Sequence, residues 1–303
     1  MPVTHTPVLV EETVEALVVK PNGTFFDATF GGGGHTRCLL DKLDAKAQLL
    51  VADRDPSAIE GAKSLALEDE RVKVVHGRFS DAKKLAHENE FQVFDGILMD
   101  LGLSSTQLDE AERGFSFLRD GPLDMRMDPT AGFTASEWLN RVSVGELTTV
   151  FKRYGEERNS RPIAQAIVAA RPLETTFQLV DVISRASRKV DSRKHVATRV
   201  FQAIRIHIND EINELRKGLR QVFDLLGVNA RLAVISFHSF EHQVVRRQFS
   251  EWSKDPIPRR APVRGKHTGP FKVVVRERRP SRAEIESNIR ARSAKLQVVE
   301  RVR

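Results

Sequence analysis

The chain has 303 residues, of which 40% are hydrophobic and 29% are charged, and its formal net charge is +7. This length can bury a full core and corresponds to one or two domains. No run approaches the roughly 20 apolar residues of a membrane span. The first residues lack a basic segment followed by an apolar stretch, so we expect a cytoplasmic protein. A single cysteine, Cys38, excludes an intrachain disulfide and offers no zinc cluster.

The positive charge is concentrated near the end of the sequence. Residues 256–303 contain 14 Lys/Arg and 4 Asp/Glu, a net +10, so the remaining residues carry about −3. A basic tail on a nearly neutral body predicts a polyanionic partner, most commonly nucleic acid. A solvated surface that favours solubility is the alternative interpretation.

The first predicted elements form a βαβ unit around a run of glycines. A strand over residues 25–30 stops at four glycines, Gly31–Gly34, and a helix over 36–43 leads to a strand over 49–52. Glycines allow a tight turn and a close approach of a ligand to the backbone. Asp53 follows the second strand, 22 residues after Gly31, near the spacing of about 20 at which such an acid binds ribose hydroxyls. This pattern predicts a nucleotide-type site, with a plain glycine turn and a solvated aspartate as the alternative.

The same alternation of strands and helices continues to residue 100. We predict a helix over 56–67, a strand over 72–76, a helix over 80–87 and a strand over 94–100. Strands separated by helices indicate a parallel sheet with right-handed crossovers, in which ligands bind beyond the carboxyl ends of the strands. The residues at or just past such ends are Gly31–His35, Asp53, Phe79 and Asp100.

The pattern changes after the fourth strand, where no convincing strand occurs from about residue 106 to 193. Short helical patterns occupy this segment, a long helix is predicted over 196–226, and strands return at 231–236, 271–275 and 294–299. We therefore predict an α/β fold, a Rossmann-like sheet with an inserted helical subdomain and a closing antiparallel pair. Two domains are predicted. Residues 1–105 together with 200–303 form a domain that binds a cofactor, and residues 106–199 form an inserted domain that recognises a substrate.

The glycine run argues against a dinucleotide cofactor. The third glycine of Gly-x-Gly-x-x-Gly would fall at residue 36, which is Thr36, and the Gly-Lys-Ser/Thr of a phosphate loop is missing. A nucleoside cofactor without a pyrophosphate, S-adenosylmethionine, is favoured. Asp53 would bind its ribose and Asp100 would face its sulfonium, or serve as a turn residue. Phe79 would contact adenine or belong to the core.

Several motifs together resemble one known family, the bacterial 16S ribosomal RNA (cytosine-N4)-methyltransferases H, also called the MraW family. The resemblance runs nearly end to end. The motifs are Asp27–His35 (DATFGGGGH), Asp53–Pro56, Asp100–Asp109, Arg113–Phe117, Gly121–Pro129, Tyr154–Glu157 and Ile235–Ser239.

The resemblance implies an S-adenosylmethionine-dependent Rossmann-like methyltransferase that methylates the N4 amine of a cytosine in the decoding region of 16S rRNA. It also implies 16S rRNA as the partner, either as free RNA or within the small ribosomal subunit. It implies neither a metal nor a membrane. The oligomeric state stays open, with a dimer as one alternative. Two positions depart from the family pattern, His242 and Ile289, and both lie away from the cofactor residues. The implied cofactor contacts are Gly33, Gly34, His35, Asp53, Phe79, Asp100 and Gln107.

A cytosine amine is a poor nucleophile because its lone pair is delocalised into the ring, so the site must hold its N–H groups and align it. Many amino-methyltransferases use an Asn/Asp-Pro-Pro-Tyr/Phe loop after the fourth strand, where this chain has Asp100–Leu103. We expect Asp100, the candidate catalytic residue, or nearby carbonyls to polarise the amine while the loop over 113–128 closes over the base. Phe115 and Phe117 would stack on the base or pack in the core.

Further residues are expected to contact RNA, which must present an unpaired or extruded base. His238 would lie at the rim, which is the edge of the sheet formed by the carboxyl ends of the strands, or would have a structural role. Basic residues would bind phosphates or form a solvated helical face; they are the tail arginines with Arg185, Arg188, Lys189, Arg193, Lys194 and Arg199. An NAD-linked oxidoreductase and a non-catalytic RNA-binding factor are the competing functions.

Overall fold

The computed structural model describes residues 7–187, 195–254 and 269–303. The chain divides into two compact units. The sheet unit comprises Met1–Gly102 and Ile212–Arg303, and the helical unit comprises Leu103–Glu211. In the described residues, no helix is long and apolar enough to cross a membrane.

The sheet has seven strands in the described part of the chain, in the order β3-β2-β1-β4-β5-β7-β6. The first five strands run parallel, whereas β7 is antiparallel to both β5 and β6. The strands are β1 Thr24–Asp27, β2 Gln48–Asp53, β3 Val72–His76, β4 Phe94–Asp100, β5 Leu226–Ser236, β6 Phe271–Arg278 and β7 Lys295–Arg301.

Helices precede, connect and follow these strands. They are α1 Val10–Leu17, α2 Gly34–Leu40, α3 Pro56–Glu68, α4 Ala82–Glu88, α5 Ser105–Asp109, α6 Ala135–Arg141, α7 Val144–Gly155, α8 Ser160–Ala169, α9 Thr176–Ala186, α10 Ala197–Ile208, α11 Glu211–Leu225, α12 Ser239–Trp252 and α13 Arg282–Ser287.

Both faces of the sheet are buried, and neighbouring residues of one strand point to opposite cores. Phe26 and Ile97 pack in one apolar cluster, while Phe25 and Leu98 pack in the other. Successive side chains of a strand alternate between faces, so a sheet covered on both sides needs continuous apolar runs. This explains why the central strands read as uninterrupted hydrophobic segments in the sequence.

The helical unit has its own apolar core, which contains Phe151, Ile163, Leu179 and Ile204. The short helices predicted in this region are present as α6 to α9, with ends shifted by a few residues. Helix α5 is not among the elements predicted from the sequence. It forms because Ser104 caps it and exchanges hydrogen bonds with the residue three positions on.

The prediction of one long helix over 196–226 is wrong. The chain forms α10 and α11 with a break at Asn209 and Asp210, and the φ of Asp210 is 51°. Asn209 is buried, its Oδ1 accepts from the Met127 amide at 2.7 Å, and its Nδ2 donates to the Met125 carbonyl at 2.7 Å. These bonds hold the end of α10 within the helical unit, which therefore extends to Glu211 rather than to the predicted residue 199.

We expect Asn209→Ala to lower the free energy of unfolding of the helical unit by about 2–4 kcal/mol, because the Met127 amide and the Met125 carbonyl lose their partner. Urea denaturation followed by fluorescence checks this in a Trp252→Phe background, where Trp138 is the remaining tryptophan. Asn22→Ala, at an exposed turn, makes the same chemical change and should alter stability by less than about 0.5 kcal/mol. Equal effects of the two variants would contradict the assigned role of Asn209.

Candidate functional site at the carboxyl edge of the sheet

The carboxyl ends of β1, β2 and β4 meet at one edge of the sheet unit, where hydrogen bonds join their polar residues. The Gly31 amide donates to Asp53 Oδ2 at 2.8 Å, and the Asp100 amide donates to Thr29 Oγ1 at 2.6 Å. His35 Nδ1 lies 3.3 Å from Asp100 Oδ2. The parallel pairing therefore gathers residues that are up to 71 positions apart in the chain.

Asp27, the last residue of β1, holds the start of the glycine turn. Its side chain is buried, with Oδ1 accepting from the Thr29 amide at 3.1 Å and Oδ2 accepting from Thr36 Oγ1 at 2.6 Å. Burial raises the pKa of Asp27, and the hydrogen bonds from Thr36 and Thr29 oppose that rise. The carboxylate thereby ties the end of β1 to the first turn of α2.

Gly33 is required by geometry in this turn. Its φ is 75°, in the left-handed region, and a Cβ placed on it would lie 2.6 Å from Cζ of Phe30. Gly33 precedes α2, whose first turn contains Gly34 and His35. A residue with a side chain at position 33 would thus strain the backbone and displace a core ring.

Asp53, at the end of β2, is oriented by two backbone amides. Besides the bond from Gly31, its Oδ1 accepts from the Asp55 amide at 2.8 Å, and Asp55 caps α3. Burial raises the pKa of Asp53 to about 6, although the amides of Asp55 and Gly31 act in the opposite direction. The carboxylates of Asp55 and Asp27 add to the rise. A carboxylate offers about four acceptor sites, so hydroxyl groups of a ligand can still donate to it.

Phe79 follows β3 and packs against the sheet unit core while remaining half-buried. Its position depends on Gly218 in α11, since a Cβ on that glycine would lie 2.4 Å from Cδ2 of the ring. Sequence reasoning missed Gly218. The available signal is a glycine inside a helical pattern. Such a glycine destabilises the helix by about 1 kcal/mol relative to alanine, so its presence indicates close packing at that position.

His35 and Asp100 form a pair in which the histidine is buried and the aspartate is half-buried. His35 is 6% exposed, its Nε2 lies 3.0 Å from the Val8 carbonyl oxygen, and its Nδ1 faces Asp100. Both ring nitrogens are thus occupied by protein acceptors. Asp100 Oδ1 is buried and has no hydrogen-bond partner among the described residues.

Gln107 belongs to the helical unit and is 5% exposed. Its Oε1 accepts from the Ser104 amide at 3.1 Å, and its own amide donates to Ser104 Oγ at 3.2 Å. The side chain therefore takes part in the capping box of α5. Its contact with the cofactor stays a prediction.

The structure gives packing roles to the other aromatic residues that were considered for the substrate. Phe115 is buried in the core of the helical unit, and half-buried Phe117 stacks on His195 at 4.9 Å and contacts Phe201 edge-on at 5.2 Å. These positions favour the structural interpretation of both rings. The loop over 113–128 is anchored within the same unit, because Arg113 donates to the Met127 carbonyl at 2.9 Å.

His238 has a local structural role as the N-cap of α12. Its Nδ1 accepts from the Glu241 amide at 3.3 Å, and the His238 amide donates to Glu241 Oε2 at 3.3 Å. His242, one of the departures from the family pattern, lies on the same helix and contacts Glu277 at 3.0 Å. Burial and the nearby Lys295 lower the pKa of His242.

The predicted phosphate-binding residues are only partly described. The residues that lie outside the described ranges are Arg188, Lys189, Arg193, Lys194 and residues 256–268 of the basic tail. Arg185 is exposed and pairs with Asp181 at 2.8 Å, whereas Arg199 is half-buried. The exposed arginines described in the tail are Arg276, Arg278, Arg279, Arg282, Arg292 and Arg303.

The fold and the rim define a class of protein. A Rossmann-like sheet that carries a glycine turn after β1, an acid after β2 and a second acid after β4 corresponds to the predicted S-adenosylmethionine-dependent methyltransferases. The model of the MraW methylase family matches residues 2–302, and the chain belongs to that family.

Relatives cover nearly the whole chain. It is 46% identical over 310 residues to ribosomal RNA small subunit methyltransferase H of Nitrosomonas europaea, with 98% of this chain and 97% of the relative covered. It is 47% identical over 301 residues to the protein of the same name from Acinetobacter baumannii, with 98% of each covered. Among solved structures, it is similar to NSun6 from Pyrococcus horikoshii with SFG, at 12% identity and a TM-score of 0.45, covering 98% of this chain and 53% of that one.

We expect Gly218→Ala to displace the Phe79 ring. Alanine should stabilise a helix by about 0.5–1 kcal/mol relative to glycine, but the overlap should reverse this gain and destabilise the chain by about 1–3 kcal/mol. Since Phe79 is a predicted adenine contact, the affinity for S-adenosylmethionine should also fall. Chemical denaturation and titration calorimetry measure the two effects.

Gly61→Ala in α3 is the matched control for this variant. A Cβ at position 61 would lie 3.6 Å from the Phe30 ring, which is an ordinary contact distance. This variant should keep its affinity and be slightly more stable. If Gly218→Ala behaved in the same way, the close packing of Phe79 on α11 would not determine its position.

Proposed function

We propose that this chain transfers the methyl group of S-adenosylmethionine to the N4 amine of a cytosine in the decoding region of 16S rRNA. Membership of the MraW methylase family supports the reaction class, and the names of its relatives support the ribosomal RNA substrate. The structural observation that carries the proposal is the buried, unpartnered Asp100 Oδ1 at the end of β4. A buried acceptor without a partner is costly unless a ligand completes it.

The described residues of the rim suit the cofactor. Gly33 and Gly34 would let the methionine portion approach the backbone, Asp53 would accept hydrogen bonds from the ribose hydroxyls, and Phe79 would cover the adenine. The backbone of His35 and the side chains of Asp100 and Gln107 complete the proposed contacts. When bound, S-adenosylmethionine would supply an electrophilic methyl group, and the proton released by the methylated amine would pass to water.

Asp100 is the residue that we assign to the cytosine amine. An ionised carboxylate accepts hydrogen bonds but donates none, so it can hold an N–H and favour a more tetrahedral nitrogen. Alignment of the amine with the methyl carbon at roughly 3 Å would supply much of the rate enhancement. Backbone carbonyls after β4 are the second source of acceptors for the amine.

The helical unit and the basic tail would recognise the RNA. Exposed arginines neutralise phosphates without reading the base sequence, which suits a structured ribosomal RNA. Arg185 and the exposed arginines of the tail are the described residues that we assign to this contact. We propose that the substrate is presented by the small ribosomal subunit, with the target base unpaired or extruded.

The decisive experiment is a methylation assay with methyl-labelled S-adenosylmethionine. The chain is incubated with small ribosomal subunits or naked 16S rRNA, and the modified nucleoside is identified by mass spectrometry. We expect labelled N4-methylcytidine, and turnover at least about 100-fold lower in Asp100→Asn. Label on another atom would refute the assigned product, and no transfer to either RNA would refute the proposed function. Full turnover with unchanged cofactor affinity in Asp100→Asn would refute the role of Asp100.

The affinity for S-adenosylmethionine should rise with pH between about 5 and 7. The pKa of Asp53 is raised to about 6 by burial, and its ionised form is the stronger acceptor for the two ribose hydroxyls. Below that pKa each pH unit should therefore weaken binding by up to about tenfold, and above it the affinity should level off. Calorimetric titrations across this range measure the effect.

Asp53→Asn separates this effect from other titrations. The variant should bind more weakly at pH 7 and should lose most of the pH dependence, since an amide at position 53 does not ionise. An unchanged pH dependence in Asp53→Asn would show that a different group is responsible.

A further inference from the structure

The His35 ring lies between two hydrogen-bond acceptors on different segments of the sheet unit. On one side is the Val8 carbonyl oxygen, 3.0 Å from Nε2, and on the other is Asp100 Oδ2, 3.3 Å from Nδ1. The ring is 6% exposed, so both contacts are shielded from bulk water. Each ring nitrogen thus has one assigned protein partner.

The hydrogen-bonding capacity of these groups determines the charge of the ring. A carbonyl oxygen and an ionised carboxylate both accept and cannot donate, so each contact requires a proton on the facing nitrogen. An imidazole with protons on both nitrogens is an imidazolium. Asp100 and Asp27 are the carboxylates that act on the ring.

The electrostatic surroundings agree with this assignment. Burial acts against the charged form of His35, but the Asp100 carboxylate, its hydrogen bond and the Asp27 carboxylate outweigh burial and raise the pKa of His35 above its ordinary value. The raised pKa favours the charged form of the ring, in agreement with the hydrogen-bonding argument.

The segment before α1 holds the far side of the ring. The Leu9 amide donates to Glu284 Oε1 at 2.7 Å, which connects this segment to α13. Pro7 packs on the turn so closely that a Cβ on Gly34 would lie 2.9 Å from its Cγ. The Val8 carbonyl is thus anchored on both sides, and it restrains the His35 ring.

The His35 ring in turn restrains the carboxylate of Asp100. The Asp100 amide donates to Thr29 Oγ1, its Oδ2 faces His35, and its Oδ1 is buried without a partner among the described residues. One oxygen is engaged by His35, and the other has unused acceptor capacity in a side chain that is 27% exposed. Rotation of the carboxylate would break the contact with His35.

We propose that His35 is a positioning residue, an imidazolium that orients the Asp100 carboxylate so that Oδ1 accepts an N–H of the target amine. Its side chain acts through Asp100, and the backbone of the turn is what approaches the cofactor. The inference rests on the proposed function, because it assigns the amine to Asp100. It also predicts a charge state that exists without cofactor or RNA.

Two amide substitutions separate the two contacts of the ring. The amide nitrogen of Asn can take the place of Nδ1 and donate to Asp100, whereas that of Gln can take the place of Nε2 and donate to the Val8 carbonyl. We expect His35→Gln to lower kcat by about 10- to 100-fold and His35→Asn to lower it by less than about fivefold. Both variants should bind S-adenosylmethionine within about threefold of the original affinity. Equal kcat in the two variants, or a larger loss in His35→Asn, would overturn the proposal.

The charge state is tested by NMR on the ligand-free protein with ¹⁵N-labelled histidine. The resonances of His35 are those that disappear in both His35→Asn and His35→Gln. Both ring nitrogens should be protonated at pH 7, and Asp100→Asn should move the loss of that proton to lower pH. A neutral ring at pH 7, or an unchanged titration in Asp100→Asn, would overturn the proposal. Since this measurement needs no turnover, it separates failure of the inference from failure of the proposed function.

Discussion

The candidate site depends on one buried carboxylate, that of Asp27. Its two oxygens accept from the Thr29 amide and from the Thr36 hydroxyl, and these bonds join the end of β1 to the start of α2. Thr29 in turn accepts from the amide of Asp100. The course of the glycine turn and the backbone position of Asp100 therefore share a single anchor. Burial raises the pKa of Asp27, so the fold retains this group against a desolvation cost.

Three strand-end carboxylates of the same sheet have different surroundings and hence different roles. Asp27 is enclosed and satisfied by protein donors, which suits a structural anchor. Asp53 is held by two backbone amides and keeps acceptor capacity, which suits hydroxyl donors. Asp100 has one oxygen against His35 and one without a partner, which suits a substrate amine. Chemical identity alone does not separate them, since all three are aspartates after apolar strands.

Much of the sheet and of the rim could be predicted from local pattern. Continuous apolar runs separated by helical patterns locate the central strands, and the glycine run locates the first turn. These signals depend only on neighbours along the chain. The break between α10 and α11 could not be predicted in this way. It depends on Asn209 bonding to Met125 and Met127, more than 80 positions away. The packing of Phe79 on Gly218 is hidden for the same reason.

The sequence by itself determined the class of fold and the cofactor type, and it proposed a set of site residues, because glycine spacing, strand-end acids and family motifs are properties of the linear chain. Only the tertiary structure decided what each side chain does. The His35 ring lies between the Val8 carbonyl and Asp100, and His238 is the N-cap of a helix. Hydrogen-bond partners and burial arise when distant segments pack together, so a sequence pattern can name such residues but cannot assign their contacts.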